Sequence, residues 1–126
     1  MRLMSKILVV DDEKKIRQIY GKLLSLERYD VLEAEDCASA ARLLIDDTDI
    51  RLVLLDINMP FLDGGVLYRM IRMLDAKLKV IVTSAYPLQD QKNRIEKADD
   101  YYDKTQGIRV LLEKVKRVFA ESPSLS

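Results

Sequence analysis

The stretch Lys6-Ile7-Leu8-Val9-Val10-Asp11-Asp12 is a short β-branched apolar run that stops abruptly on two carboxylates. Its apolar residues are continuous rather than alternating, which suits a strand covered on both faces. Leu52-Val53-Leu54-Leu55 repeats the pattern and again ends on a carboxylate, Asp56. Lys79-Val80-Ile81-Val82-Thr83 is a further long run, while Tyr29 to Ala34 and Tyr101-Tyr102-Asp103 supply two shorter strands.

Between these runs the apolar spacing changes to that of helices. Ile16, Ile19, Tyr20, Leu23 and Leu24 fall at i, i+3, i+4, i+7 and i+8, one helical face. Cys37, Ala40, Ala41 and Leu44 mark a second helix, and Leu67, Met70, Ile71 and Leu74 a third, with Asp63 as its expected N-cap. The segment after Pro87 is mostly polar, so a fourth helix over Leu88 to Ala98 rests on Leu88, Ile95 and Ala98 alone. Ile108, Leu111, Leu112, Val115 and Phe119 mark the last. The order (βα) repeated five times predicts an α/β fold, a parallel sheet with helices on both faces and right-handed crossovers. Residues 1–121 are expected to form one domain, and 122–126 a tail or the start of a linker.

Composition excludes several chemistries. The chain of 126 residues has no histidine and one cysteine, Cys37. An intrachain disulfide, a soft-ligand zinc site, a Ser-His-Asp triad and a phosphohistidine formed on this chain are all ruled out. Lys and Arg number 21 and Asp and Glu 21, a balance that argues against general nucleic-acid binding. No apolar run approaches a membrane span, and the expected location is the cytoplasm.

In an open parallel sheet, ligands bind outside the carboxyl ends of the strands. The residues there are Asp11 and Asp12, Asp56, Thr83 and Ser84, and Lys104. Each taken singly has an ordinary explanation, an N-cap pair for Asp11 and Asp12 or a surface lysine for Lys104. Together they bring three carboxylates to one rim. Two carboxylates about 5 Å apart repel by roughly 3 kcal/mol at an effective dielectric near 20. A hard divalent cation such as Mg2+, with a phosphoryl group in its remaining positions, removes that repulsion.

The matching pieces Ile7 to Glu13, Leu54 to Pro60 with Asp63-Gly64, Val82 to Tyr86, and Ala98 to Tyr101 with Lys104 occur in one order and spacing. In these pieces the chain resembles the response regulator receiver domains of two-component signalling, over about residues 5–119. The resemblance implies a flavodoxin-like sheet in the order 2-1-3-4-5. It makes Asp56 the phosphoacceptor, and Asp11, Asp12, Asp56 and the backbone carbonyl of Asn58 the Mg2+ ligands. Lys104 becomes the lysine that contacts the phosphoryl group, Ser84 the switch hydroxyl with Thr83 as its neighbouring alternative, and Tyr101 the switch aromatic. The implied partners are a sensor histidine kinase or histidine phosphotransfer protein and a downstream effector at the Leu88 to Phe119 face, with no direct nucleic-acid binding and no membrane. Homodimerisation is compatible with that face. The implied role is that of a signalling phosphoacceptor that assists its own phosphorylation and dephosphorylation.

Two positions depart from the family pattern. Thr105 follows Lys104 where proline, often after a cis bond, is usual, and a cis bond before a non-proline costs about 2.5–4 kcal/mol. A trans Lys104–Thr105 bond is therefore expected. Pro87 stiffens the loop after the fourth strand and biases Tyr86 toward extended geometry. Two other classes remain open at this point. One is a phosphotransferase resembling the haloacid dehalogenases, whose Asp-x-Asp pair after the first strand is here Asp11-Asp12-Glu13. The other is a receiver-like interaction scaffold that phosphorylation does not control.

Overall fold

Five strands and five helices alternate along the chain in the computed structural model, which describes residues 5–58 and 64–121. They are β1 (Lys6–Val10), α1 (Lys14–Leu26), β2 (Asp30–Ala34), α2 (Cys37–Asp46), β3 (Ile50–Asp56), α3 (Gly64–Leu74), β4 (Lys79–Ser84), α4 (Leu88–Arg94), β5 (Asp100–Asp103) and α5 (Ile108–Ala120). A short 3₁₀ turn, Lys104–Gln106, links β5 to α5. The strands are parallel in the order β2-β1-β3-β4-β5, the flavodoxin-like arrangement expected.

The continuous apolar runs are explained by two cores. Leu8, Val10, Val53, Leu55, Val80 and Val82 point to the side packed by α2, α3 and α4. Ile7, Val9, Leu52, Leu54 and Ile81 point to the other side, where Tyr20 and Leu24 of α1 and Leu111, Val115 and Val118 of α5 cover them. Alternate residues of one strand thus enter different cores, and both sets must be apolar. Each fully buried Leu, Ile or Val contributes about 1.5–3 kcal/mol, enough in sum to hold an acidic rim together.

Local differences from the sequence pattern have physical causes. Ile19 is 49% exposed, because the buried stripe of α1 runs through Arg17, Tyr20, Gly21 and Leu24 instead. Leu74, at the end of α3, is likewise exposed. Tyr29 precedes β2 and stacks on Phe119, with ring centroids 5.3 Å apart. Helix α4 stops at Arg94, so Ile95 and Ala98 pack against the core from the following loop, not from a helix reaching residue 98. The expected cap Asp63 and the tail 122–126 lie outside the described residues. No peptide bond is cis among the described residues, in keeping with Thr105 after Lys104.

Candidate functional site

Strand register brings the rim residues together. Val10 pairs with Leu55, which places Asp11 beside Asp56 one step further on, and Asp56 pairs with Thr83. Ser84 pairs with Asp103, and Lys104 follows directly. One carboxylate oxygen from each of Asp11, Asp12 and Asp56 lies within 4.8 Å of the others. Asp11 and Asp56 are buried, whereas Asp12 is exposed.

Asp11 and Asp56 are held in the same way. Asp11 Oδ1 accepts the Glu13 amide at 2.9 Å, and Asp56 Oδ1 accepts the Asn58 amide at 2.8 Å. These local turns fix each carboxylate and leave its second oxygen facing the site. Lys104 Nζ then meets Asp11 Oδ2 at 2.9 Å and Asp56 Oδ2 at 3.3 Å. Glu13, the N-cap of α1, makes no side-chain cap bond, so the Asp11 carboxylate serves the helix start and the site at once.

The charges respond to this crowding. Burial pushes Asp56 up to about 6; the Asn58 amide and Lys104 pull it down, and Asp11 pushes it further up. Lys104 is raised as a net result: burial lowers it, but its hydrogen bond to Asp11 and the charges of Asp56 and Asp11 outweigh that. A single ammonium among three carboxylates leaves the rim short of positive charge. An all-oxygen donor set of this kind, with one acid raised by burial, fits a hard divalent cation.

Ser84 is fully buried and donates a short hydrogen bond to Asn58 Oδ1, while its Oγ accepts the Tyr86 amide at 2.9 Å. Thr83 is buried too. Tyr101 sits inward under α4, its hydroxyl donating to Ile95 O at 2.5 Å and accepting from the Ala98 amide at 3.1 Å. Lys104 is seated by its neighbours: Asp103 Oδ1 accepts from the Thr105 amide at 2.8 Å and from Thr105 Oγ1 at 2.7 Å, and Gln106 Oε1 accepts the Asp103 amide at 3.1 Å. The amide that a proline would lack is used here to brace the turn.

Two supporting residues escaped the sequence pattern. Arg17 is buried and donates to the backbone carbonyl of Asp11 at 2.8 Å and to Glu33 at 3.2 Å, fixing the acidic loop from beneath. Gln91 is fully buried in α4 and ties the loop after β4 to β5. The available signal was phase: Arg17 lies i−3 and i−7 from Tyr20 and Leu24, and Gln91 lies between Leu88 and Ile95 at i+3 and i+7.

This rim occurs on a sheet whose chain matches the response regulator receiver domain model over residues 7–116. The chain belongs to the response regulator receiver family. It is 32% identical over 120 residues, 94% of its length, to the transcriptional regulatory protein CpxR of Klebsiella pneumoniae. It is 34% identical to the transcriptional regulatory protein YvcP of Bacillus subtilis, in an alignment that covers 97% of this chain. It covers 51% and 54% of those two proteins, so the chain spans about half the length of the curated relatives it matches. A CheY-like receiver domain from Methanospirillum hungatei superposes with a TM-score of 0.87 at 27% identity, covering 95% of this chain and 97% of that one. The response regulator TrrA of Thermotoga maritima gives 0.82 at 34% identity, covering 91% and 99%. The Asp11, Asp12 and Asp56 cluster is typical of a receiver metal site. No helix among the described residues is long and apolar enough to cross a membrane.

Proposed function

We propose that Asp56 accepts a phosphoryl group from a phosphohistidine of a partner kinase or phosphotransfer protein, with Mg2+ held by Asp11, Asp12, Asp56 and the backbone carbonyl of Asn58. The observation that carries this is the buried Asp56 carboxylate, with one oxygen tied to the Asn58 amide and the other facing Lys104 and the remaining acids. The solved structure of TrrA is of a complex with Mg2+ and beryllofluoride, which supports the same site here. When bound, the ion would neutralise charge on the acids and the incoming phosphoryl oxygens.

The remaining chemistry belongs to the chain. In the metal-free site burial raises the Asp56 pKa to about 6, which still leaves the carboxyl mostly ionised at neutral pH. Its oxygen attacks phosphorus, the P–O bond forms, and the P–N bond breaks with its electron pair leaving on the imidazole. Lys104 stays protonated beside the new phosphoryl oxygens, and Ser84 turns its hydroxyl proton from Asn58 toward one of them. The added charge, about −1.5 to −2, then acts on the loop after β4 and on Tyr101. The effector face is that of α4, β5 and α5, from Leu88 to Phe119, and the same domain assists hydrolysis of its acyl phosphate. The expected setting is the cytoplasm, with residues 1–121 as the folded unit.

Intact mass spectrometry after incubation with Mg2+ and a small acyl-phosphate donor tests the reading. Wild type should gain one phosphoryl group and Asp56→Asn none; an equal gain in both, or none in wild type, would refute it.

A further inference from the structure

We infer that Gln91 is the positioning residue through which the state of the Asp56 site reaches β5, an inference that rests on Asp56 being the acceptor. Gln91 is fully buried in α4, whose residues after Leu88 are all polar. Its Nε2 spends both hydrogens on backbone carbonyls, Tyr86 O at 2.9 Å in the loop after β4 and Tyr102 O at 3.0 Å in β5. Two acceptors fix the amide's orientation, because the flipped amide would set an oxygen against two oxygens. Its Oε1 is buried and has no partner among the described residues. An apolar side chain would fill the same volume without leaving a buried acceptor unpaired, so what the glutamine adds is its two donated bonds.

The same loop residue is held from the other side by the site. Tyr86 gives its amide to Ser84 Oγ, and Ser84 gives its proton to Asn58, two residues after Asp56. Hydrogen bonds therefore run from Asn58 through Ser84 to the Tyr86 amide, and from the Tyr86 carbonyl through the Gln91 amide to the Tyr102 carbonyl, the two halves joined across the Tyr86 Cα. When Ser84 Oγ swings toward a phosphoryl oxygen, the Tyr86 amide must follow or lose its acceptor, and the movement reaches the Tyr86 carbonyl through the same residue. The planar Gln91 amide cannot follow Tyr86 without straining its second bond, to β5. Arg94 lies over the Tyr86 ring at 4.4 Å and Lys92 over the Tyr101 ring at 5.8 Å, so the flanking residues of α4 grip the same two segments.

The test follows backbone amides by NMR during titration with Mg2+ and beryllofluoride, a phosphoryl mimic. In wild type the Tyr86 and Tyr102 amides and the Gln91 side-chain amide should all shift. In Gln91→Met, and in Gln91→Leu as a second apolar replacement, Tyr86 should shift with half-saturation within about twofold of wild type, while the Tyr102 shift falls at least about threefold. A Tyr102 shift in either variant equal to that of wild type would overturn the inference. So would a wild-type Gln91 side-chain amide that stays fixed while Tyr102 moves, a result that needs no folded variant. If wild type shows no response at Tyr86 or Asn58, the acceptor reading fails first and the relay with it.

Discussion

At the lower end of the sheet, Asp99 accepts the Val80 amide at 2.8 Å and faces Arg72 at 3.2 Å and Lys79 at 3.7 Å. At the upper end, Asp11 and Asp56 share the ammonium of Lys104, and Asp12 lies beside them. One acid between two cations is a closed structural network, whereas three acids around one ammonium form a site suited to a further cation. The overall balance of 21 positive and 21 negative residues conceals this separation. Removing a carboxylate should therefore have opposite signs at the two ends.

The largest effect is expected at the upper end. The Asp56 pKa is raised from 3.8 to about 6 in the folded protein. The folded state thus binds more protons than the unfolded state between those values, and metal-free stability falls as pH rises through that window. Asp56→Asn should remove the fall and stabilise the metal-free domain at pH 7 by about 2–3 kcal/mol, measured by urea unfolding from pH 4 to 7. A variant no more stable than wild type at pH 7 would break the contrast. At the lower end, Asp99→Ala strands the buried Val80 amide and takes one partner each from Arg72 and Lys79. It should destabilise by about 2 kcal/mol in the same assay while leaving phosphorylation intact.

Smaller changes sharpen the comparison along the switch side. Tyr101→Phe loses the bond to Ile95 O and the acceptor for the Ala98 amide, with an expected cost of about 1 kcal/mol in thermal unfolding. Thr105→Ala keeps its backbone amide bond to Asp103 and loses only the hydroxyl contact. It should cost less than about 1 kcal/mol and leave the phosphorylation rate within about twofold, since the turn that carries Lys104 keeps its amide brace.

The sheet was legible because each long apolar run ends where the polarity changes, and that same boundary exposed Asp11, Asp56 and Lys104. The supports behind them were not legible. Arg17 and Gln91 are polar residues in apolar-phase positions, and only the carbonyls they meet in three dimensions, those of Asp11, Tyr86 and Tyr102, explain their burial. The end of α4 was misplaced for a related reason. Ile95 and Ala98 keep the helical spacing and the burial, but Ile95 has extended backbone angles and turns the chain toward β5. Lys104 was reachable from the sequence, whereas the Asp103, Thr105 and Gln106 brace that takes the place of proline depends on a turn geometry that spacing does not encode.

Asp56, at the acid-rich end of the sheet, is the proposed acceptor. The chain has no histidine, so a phosphoryl group that hydroxylamine removes must be on a carboxyl group. The most direct measurement is to phosphorylate the domain with Mg2+ and an acyl-phosphate donor, reduce the product with borohydride, and map the modified residue by peptide mass spectrometry. Residue 56 should be recovered as homoserine, a product lost when Mg2+ is withheld. Modification at Asp11 or Asp12, or labelling of residue 56 to the same extent without Mg2+, would contradict the assignment.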